Sequence, residues 1–352
     1  MKRILSLDGL RGVFCLLIVF EHYSPIYLPK LIYDFPVIRS SYIVVDFFFV
    51  LSGYILALKY WNSISDLKTL KSFYLKRLFR LYPLVLITSS FLLLIEIFTY
   101  YKLKGFKNDP ISLYEISLRY LNDVLLVNSS NILGAHSMNI PSWSISAEFF
   151  CYLIFGIFLV YFKNLKQFLN VLLLSFIVLA LTQEYAFPTF SFGFIRGIIS
   201  FLVGVILFKS NILKNFKIKN NHQVIIIIIF GLSLYLLTLK TYLITKTLSI
   251  FLPFFFAFTI HIILNGKGIL TRFLTNPFIT KIGDLSFSIY LNHFVVVLII
   301  PRLIFQILKV PNTTIYQIMV FILCPIIVIL ISKFTNKYIE VKFNKYLRDR
   351  FI

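Results

Sequence analysis

The first apolar stretch of the chain carries an ionisable pair. Arg11 and His22 are eleven residues apart, which is about three helical turns plus 20°, so both lie on one face of a helix about 16 Å apart. Glu21 lies beside His22. Burial favours neutral imidazole, the form that a general base needs, and a neighbouring carboxylate stabilises the imidazolium that forms. The spacing therefore puts a cation and, deeper in the predicted membrane helix, an imidazole with an adjacent carboxylate on one helix face.

Further apolar stretches carry polar groups at a similar depth. Asp46, Glu148 and Arg196 lie in the outer halves of their predicted helices, and His293 falls near the middle of a late one. Ionisable groups in membrane helices are functional candidates by default, because an unpaired one costs several kcal/mol unless it faces a wet cavity. We expect these side chains to meet around His22 as a reaction centre or an ion path.

Each of these groups also has a purely structural interpretation. Arg196 could form a structural ion pair with Glu21 or with Asp46. His22 and His293 could be hydrogen-bonded core residues, and this is the expectation for His261, which has no charged neighbour in its stretch.

A basic segment near the inner end of the third apolar stretch favours a different chemistry. In FYLKRLFRLYPL (73–84), Lys76, Arg77 and Arg80 fall within about one turn of helix. Guanidinium groups offer planar paired donors, so Arg77 and Arg80 at i, i+3 could clamp a phosphate. Ordinary anchoring by cytoplasmic basic residues is the alternative interpretation.

The composition shows which elements must position these residues. Of 352 residues, 59% are hydrophobic and 14% charged, and a soluble fold could not bury that much apolar surface. Ten stretches approach the roughly 20 residues that cross a bilayer. They cover about 9–28, 41–59, 81–100, 143–162, 168–187, 189–208, 223–239, 243–265, 284–305 and 315–332. Pro253 is expected to break the eighth stretch, and 111–127 is a candidate interfacial helix.

The distribution of basic residues orients these helices. With both termini in the cytoplasm, 23 of the 35 Lys and Arg residues lie in or at the ends of inside segments and ten in or at the ends of outside segments, as the positive-inside rule requires, while Arg11 and Arg196 lie within the apolar stretches. The net charge of +21 is thereby explained by topology, and the chain has no nucleic-acid-binding motif. The three cysteines lack metal-ligand spacing, so we expect no metal site. The sequence predicts an all-α polytopic bundle that forms one membrane domain over 1–352.

Five blocks of the chain resemble, in family order, the motifs of the acyltransferase-3 family of bacterial integral membrane acyltransferases. They are LDGLRGVFCLLIVFEHY (7–23), VVDFFFVLSGYIL (44–56), FYLKRLFRLYPL (73–84), PSWSISAEFFCYL (141–153) and FSIYLNHF (287–294). Glu340 is similar to the family's terminal Glu, although the usual Pro after it is absent. The resemblance implies transfer of an acyl group, usually acetyl, from acyl-CoA to a hydroxyl, with no bound cofactor. It also implies a cell-surface or lipid-linked glycan, such as an O-antigen, capsule or exopolysaccharide, as acceptor, and a location in the bacterial inner membrane.

Carried over by position, the resemblance makes Arg11, His22 and Glu148 the expected essential residues. It implies that Arg77 and Arg80, to which we add Lys76, contact the CoA phosphates.

On this basis we expect His22 to deprotonate a sugar hydroxyl as that hydroxyl attacks the thioester. Glu148 or Glu21 would supply the supporting carboxylate. The group that stabilises the oxyanion is left open among three candidates, which are Tyr290, His293 and Arg196.

Two alternatives remain at this point. A covalent acyl-histidine relay would split the transfer into two steps. A multi-pass ion-coupled transporter or glycan exporter would use the same buried charges as a proton path.

Overall fold

The computed structural model describes residues 3–103, 111–181, 187–210, 213, 216 and 218–352, and the regular structure in this part of the chain is helical. The α-helices are α1 Leu5–Glu21, α2 Lys30–Tyr33, α3 Pro36–Arg39, α4 Val44–Tyr60, α5 Leu67–Leu103, α6 Leu113–Val124, α7 Trp143–Tyr161, α8 Leu165–Leu181, α9 Gly193–Lys209, α10 Asn220–Thr238, α11 Tyr242–Asn265, α12 Ile269–Leu274, α13 Pro277–Asp284, α14 Ser286–Arg302, α15 Thr314–Thr335 and α16 Asn344–Phe351. Short 3₁₀ turns occupy Pro25–Tyr27, Ser41–Ile43 and Ile140–Ser142, and π-helical segments occupy Leu303–Ile307 and Asn336–Phe343.

Among the described residues, seven helical segments are long and apolar enough to cross a membrane. They are Ser41–Tyr60, Leu67–Lys102, Ile140–Tyr161, Asn220–Thr238, Tyr242–Asn265, Ser286–Ile307 and Thr314–Phe351. The remaining three predicted stretches fall on α1, α8 and α9, which have 17 residues each. The all-helical, multi-pass architecture is therefore confirmed, while the count of ten crossings and the side on which the termini lie stay predictions. Residues 182–186 of the fifth predicted stretch lie outside the described residues.

Two predicted boundaries differ from the structure. Helix α1 runs from Leu5 to Glu21, whereas the predicted stretch covered about 9–28. It does not extend to residue 28 because Pro25 opens a 3₁₀ turn that cannot continue an α-helix. Pro253 does not break α11, since the helix runs through it with Pro253 itself buried. Packing by neighbouring helices compensates for the missing N–H in such positions. The candidate interfacial segment 111–127 contains α6.

The chain divides into two compact units. The first unit comprises Met1–Tyr60, Asn164–Phe187 and Ile199–Lys333, and the second comprises Trp61–Lys163, Pro188–Ile198 and Phe334–Ile352. The expectation of one domain over 1–352 stays a prediction.

In the first unit, α1 packs backbone to backbone against the short helices that precede α14. A Cβ on Gly9 would lie 1.9 Å from the Leu274 carbonyl oxygen, and one on Gly283 would lie 1.8 Å from the Asp8 carbonyl oxygen. The Cys15 thiol also donates to the Ser286 carbonyl at 3.1 Å. Small residues allow this close approach, which fixes the helix that carries both Arg11 and His22.

In the second unit, α5 packs along α7. The Tyr74 hydroxyl donates to the Leu153 carbonyl at 2.7 Å, and Gly156 leaves the space that this ring occupies. Asp66 caps the start of α5, where its Oδ1 accepts from the Thr69 amide at 2.9 Å. This packing places the basic segment of α5 on the same unit as Glu148.

Candidate active site

His22 is the C-cap of α1, one residue beyond the helix rather than inside it as predicted, and it is held there by its Nδ1 atom. This nitrogen lies 3.0 Å from the Ile18 carbonyl oxygen and 2.8 Å from a carboxylate oxygen of Glu21. Both partners are acceptors only, so Nδ1 carries the hydrogen in neutral His22 and the lone pair is on Nε2. The side chain of His22 is 20% exposed. The predicted base thus has the tautomer and the carboxylate neighbour that proton abstraction needs.

A second imidazole lies beside the first. The rings of His22 and His293 are 4.9 Å apart between centroids, at an interplanar angle of 73°. His293 is fully buried on α14, where its Nδ1 lies 3.2 Å from the Ile289 carbonyl oxygen. The ring of Tyr290, which is also buried, lies 5.7 Å from that of His293. The structure therefore brings together His22, Glu21, His293 and Tyr290, all four of them predicted from the sequence.

Arg11 lies on α1 within a series of ion pairs that was not predicted from the sequence. Its Nη1 is 3.4 Å from Asp8 Oδ1, and the other oxygen of Asp8 is 2.7 Å from Arg3 Nε. Arg3 also pairs with Asp284, at the end of α13. The i, i+3 spacing of Asp8 and Arg11 was a signal that could have identified Asp8. The ion pair with Asp8 therefore orients the Arg11 side chain from within its own helix.

Asp46 is buried on α4 and bonded to a neighbouring helix. The Ser200 hydroxyl donates to Asp46 Oδ1 at 2.9 Å, and both side chains are buried. The Ser200 hydroxyl is therefore one of the hydrogen-bond donors that such a buried carboxylate needs.

In the second unit, the three basic residues of α5 have different surroundings. Arg77 is buried, with its guanidinium carbon 5.8 Å from the ring centroids of both Phe73 and Tyr152. Lys76 is half-buried, and Arg80 is exposed. Of the predicted phosphate clamp, Arg80 is thus the member most open to a soluble anion.

Glu148 on α7 is connected to Arg77 through one aromatic residue. The Tyr152 hydroxyl donates to Glu148, and the face of the same ring receives the Arg77 guanidinium. On the same unit, the Arg196 guanidinium carbon lies 5.3 Å from the Trp143 ring centroid, with both side chains buried. The second unit therefore holds Glu148, Arg77, Lys76, Arg80 and Arg196.

A buried polar network that was not predicted from the sequence precedes α7. Asp123 accepts hydrogen bonds from the hydroxyls of Ser89 and Ser142, the amide side chain of Asn128 and the backbone N–H of Asn139, at 2.7, 3.1, 3.0 and 2.8 Å. All five residues are buried. Burial raises the pKa of Asp123 to about 6.

The same region holds α7 by a second set of bonds. On the first turn of α7, the Ser146 hydroxyl donates to the Leu126 carbonyl at 2.7 Å and lies 2.8 Å from the Ser129 hydroxyl. Together with the Asp123 bonds, these contacts fix the helix that carries Glu148.

The predicted residues thus form two clusters, one on each unit. That all of them meet at one level of the membrane stays a prediction. Among the described residues, no group of three or more His, Cys, Asp or Glu side chains could hold a metal ion.

Comparison with known proteins gives one match over nearly the whole chain. A family model described as an acyltransferase domain matches residues 4–335. The peptidoglycan O-acetyltransferase OatA of Listeria monocytogenes is 29% identical over 185 residues, which are 49% of this chain and 27% of that protein. Protein 2 in the picA locus of Rhizobium radiobacter is 40% identical over 84 residues, 24% of this chain and 40% of that protein. No solved structure matches.

The matched regions thus cover less than half the length of either of these relatives.

Proposed function

The chain belongs to the acyltransferase-3 family, whose model matches residues 4–335, and on this premise we propose that it transfers an acetyl group from acetyl-CoA to a hydroxyl of a cell-envelope carbohydrate. The Listeria relative is named a peptidoglycan O-acetyltransferase, which supports this acceptor class and the acetyl group. The seven apolar helical segments found in the described part of the chain support a multi-pass location, for which we propose the bacterial inner membrane.

The observation that carries this proposal is the orientation of His22. Its Nδ1 faces the Glu21 carboxylate and the Ile18 carbonyl, so its Nε2 lone pair is available to a hydroxyl proton. The carboxylate stabilises the imidazolium that forms when this proton is taken. An imidazole held in this way is a suitable general base near neutral pH.

In the proposed transfer, His22 is the only side chain that must take up and release a proton. The hydroxyl proton moves to His22 Nε2 while the hydroxyl oxygen bonds to the thioester carbon. Breaking the carbon–sulfur bond releases the CoA thiolate, which receives the proton from His22. The products are the acetyl ester and free CoA, and His22 returns to its neutral form.

The donor would bind through cations of α5. Arg80 is exposed and suits the CoA phosphates, with Lys76 half-buried beside it. Arg77 is buried against Tyr152, so its contribution would be to hold that ring and, through it, Glu148. Glu148 is expected to be essential, as the family motif implies, and Arg11 is expected to support the donor from α1.

The test is acetyl transfer by membranes that contain the full chain. Incubation with radiolabelled acetyl-CoA should label an envelope glycan with the wild type, while His22→Ala should give no label above background at equal protein level. His261→Ala is a matched control, because His261 has no charged residue beside it in its helix. Solute flux without label would identify a transporter instead, and a stable acetylated His22 would establish the covalent relay. Wild-type turnover by His22→Ala would refute the proposed chemistry.

The acceptor follows from a second measurement. Mass spectrometry of envelope glycans from a strain without the gene should show the loss of one acetyl group per modified unit. Restoring the wild-type gene, but not the His22→Ala variant, should return that mass.

A further inference from the structure

The fold leaves one nitrogen of a buried imidazole without a hydrogen bond. His293 is fully buried, and none of the residues that the structure describes reaches its Nε2. Buried polar atoms are almost always bonded, so an exception calls for an explanation in the working of the site. The proposed reaction gives His293 no task so far.

The other nitrogen of His293 defines what its Nε2 can do. Nδ1 lies 3.2 Å from the Ile289 carbonyl oxygen, which accepts and cannot donate. Neutral His293 therefore has its hydrogen on Nδ1 and a lone pair on Nε2. In this form Nε2 cannot donate to an oxyanion, which argues against His293 as one of the three oxyanion candidates. It can only accept.

The ring of His22 lies beside that of His293 and can become a donor to its Nε2. The two ring centroids are 4.9 Å apart, a separation that allows an N···N hydrogen bond near 2.9 Å once the two Nε2 atoms face each other. In the resting protein both Nε2 atoms carry lone pairs, so they cannot bond to each other. Protonation of His22 changes this, because its Nε2 then becomes a donor.

We propose that His293 is a positioning residue that acts through His22: its Nε2 accepts a hydrogen bond from His22 once His22 has taken the acceptor's hydroxyl proton. The inference rests on the proposed function. The proton stays on His22 and passes from there to the CoA thiolate, so the balance of the reaction is unchanged. Glu21 holds the Nδ1 side of the imidazolium and His293 holds the Nε2 side until the thiolate leaves. Tyr290 borders His293 on α14.

The proposal requires a hydrogen-bond acceptor atom at position 293. Two variants distinguish the loss of this acceptor from the loss of packing by the ring. His293→Gln can offer an amide oxygen near the place of Nε2, whereas His293→Phe keeps an aromatic ring but has no lone pair. In membranes with radiolabelled acetyl-CoA and the glycan fraction of a strain without the gene, we expect His293→Phe to lower kcat about 30-fold. The KM values for acetyl-CoA and glycan should stay within about twofold, and His293→Gln should retain most of kcat.

Small rings added to a cavity variant give an independent measurement. Imidazole and pyrrole are nearly the same size, but only imidazole has a nitrogen lone pair, while both have an N–H. We expect imidazole, and not pyrrole, to restore turnover by His293→Ala. Rescue by both would show that the ring only fills space or donates, and would overturn the proposal.

The remaining outcomes are also decisive. Equal turnover by His293→Phe and His293→Gln would overturn the proposal, as would a raised glycan KM with unchanged kcat. If His293→Phe does not accumulate in the membrane, His293→Gln and the rescue of His293→Ala decide instead. Absence of label with the wild type would refute the proposed function itself, whereas wild-type label with an active His293→Phe would refute only this inference.

Discussion

Arg77 and Arg80 share one turn of α5, yet their surroundings give them different tasks. Arg77 lies between the rings of Phe73 and Tyr152, where loss of the guanidinium leaves a buried gap. Arg80 is exposed on the same helix. A soluble, highly anionic donor would therefore meet Arg80 first, and the pair is not a symmetric clamp.

This difference predicts separate effects of two substitutions. Arg80→Gln should raise the KM for acetyl-CoA about tenfold with little change in the amount of folded protein, because one charge-assisted phosphate contact is lost. Arg77→Gln should instead lower the thermal unfolding midpoint and kcat. Initial rates at several acetyl-CoA concentrations, with unfolding curves in detergent, measure both.

Lys71→Gln is the matched control for charge. Lys71 is exposed on the same helix, about one and a half turns before Lys76. It should leave the KM for acetyl-CoA unchanged. An equal rise in KM for Lys71→Gln and Arg80→Gln would show that only the overall positive charge matters.

At the scale of helices, the stability of α7 depends on the buried carboxyl of Asp123. Burial raises the pKa of this group from 3.8 to about 6, so the folded protein holds the proton more tightly than the unfolded chain does. The free energy of unfolding should therefore fall as pH rises from about 4 to about 6, by on the order of 3 kcal/mol. Above that range the ionised carboxylate still accepts its four hydrogen bonds.

Asp123→Asn should remove this pH dependence. One amide NH₂ would face a former donor, such as the Asn139 N–H, so at pH 5 the variant should be about 1–3 kcal/mol less stable than the wild type. The difference in free energy of unfolding between wild type and variant should narrow at pH 7.5, where the wild type contains a buried charged carboxylate. Thermal unfolding in detergent at both pH values measures the difference, and parallel wild-type and variant profiles would contradict the argument.

The contact between α4 and α9 depends on the absence of a side chain at Gly204. A Cβ there would lie 1.9 Å from the Val50 carbonyl oxygen, and backbone cannot move aside as a side chain would. Gly204→Ala should therefore lower the free energy of unfolding by about 1–3 kcal/mol.

For Gly231 on α10 we expect the opposite effect of a substitution by Ala on the free energy of unfolding. No described atom lies within 4 Å of a Cβ at Gly231, so the added methyl should stabilise the helix by about 0.5–1 kcal/mol. Unfolding midpoints of the two variants should move in opposite directions, and a Gly204→Ala protein as stable as the wild type would show that the two helices are not in backbone contact.

The helices were largely predictable from sequence, because a long apolar stretch has few other ways to satisfy its backbone in a membrane. The Asp123 network was not. Its Asn and Ser residues read locally as a polar loop, and only folding brings Ser89 of α5 to within 2.7 Å of Asp123. The contact between His22 and His293 could not be predicted for the same reason, because the two residues are far apart in sequence. Hydropathy placed both in membrane helices, but only the packing of α1 and α14 determines the distance between their rings.

At the scale of the whole molecule, the proposed reaction requires a defined orientation. Acetyl-CoA is cytoplasmic, so the basic segment of α5 must face the cytoplasm, as the excess of Lys and Arg in the predicted inside segments indicates. The same rule assigns the C-terminal segment to the cytoplasm and the connection between α14 and α15 to the outside. The cysteine content makes this testable, because all three native cysteines are buried and free.

Single cysteines introduced at exposed positions should report the side of each segment. Lys71→Cys and Asp349→Cys lie in predicted inside segments, and Thr313→Cys lies in a predicted outside connection; all three positions are exposed. A membrane-impermeant maleimide added to intact spheroplasts should label Thr313→Cys at once. It should label the other two only after permeabilisation, and the parent chain should stay unlabelled. The opposite pattern would put Arg80 outside, away from its donor, and acetyl-CoA could not be the substrate of this site.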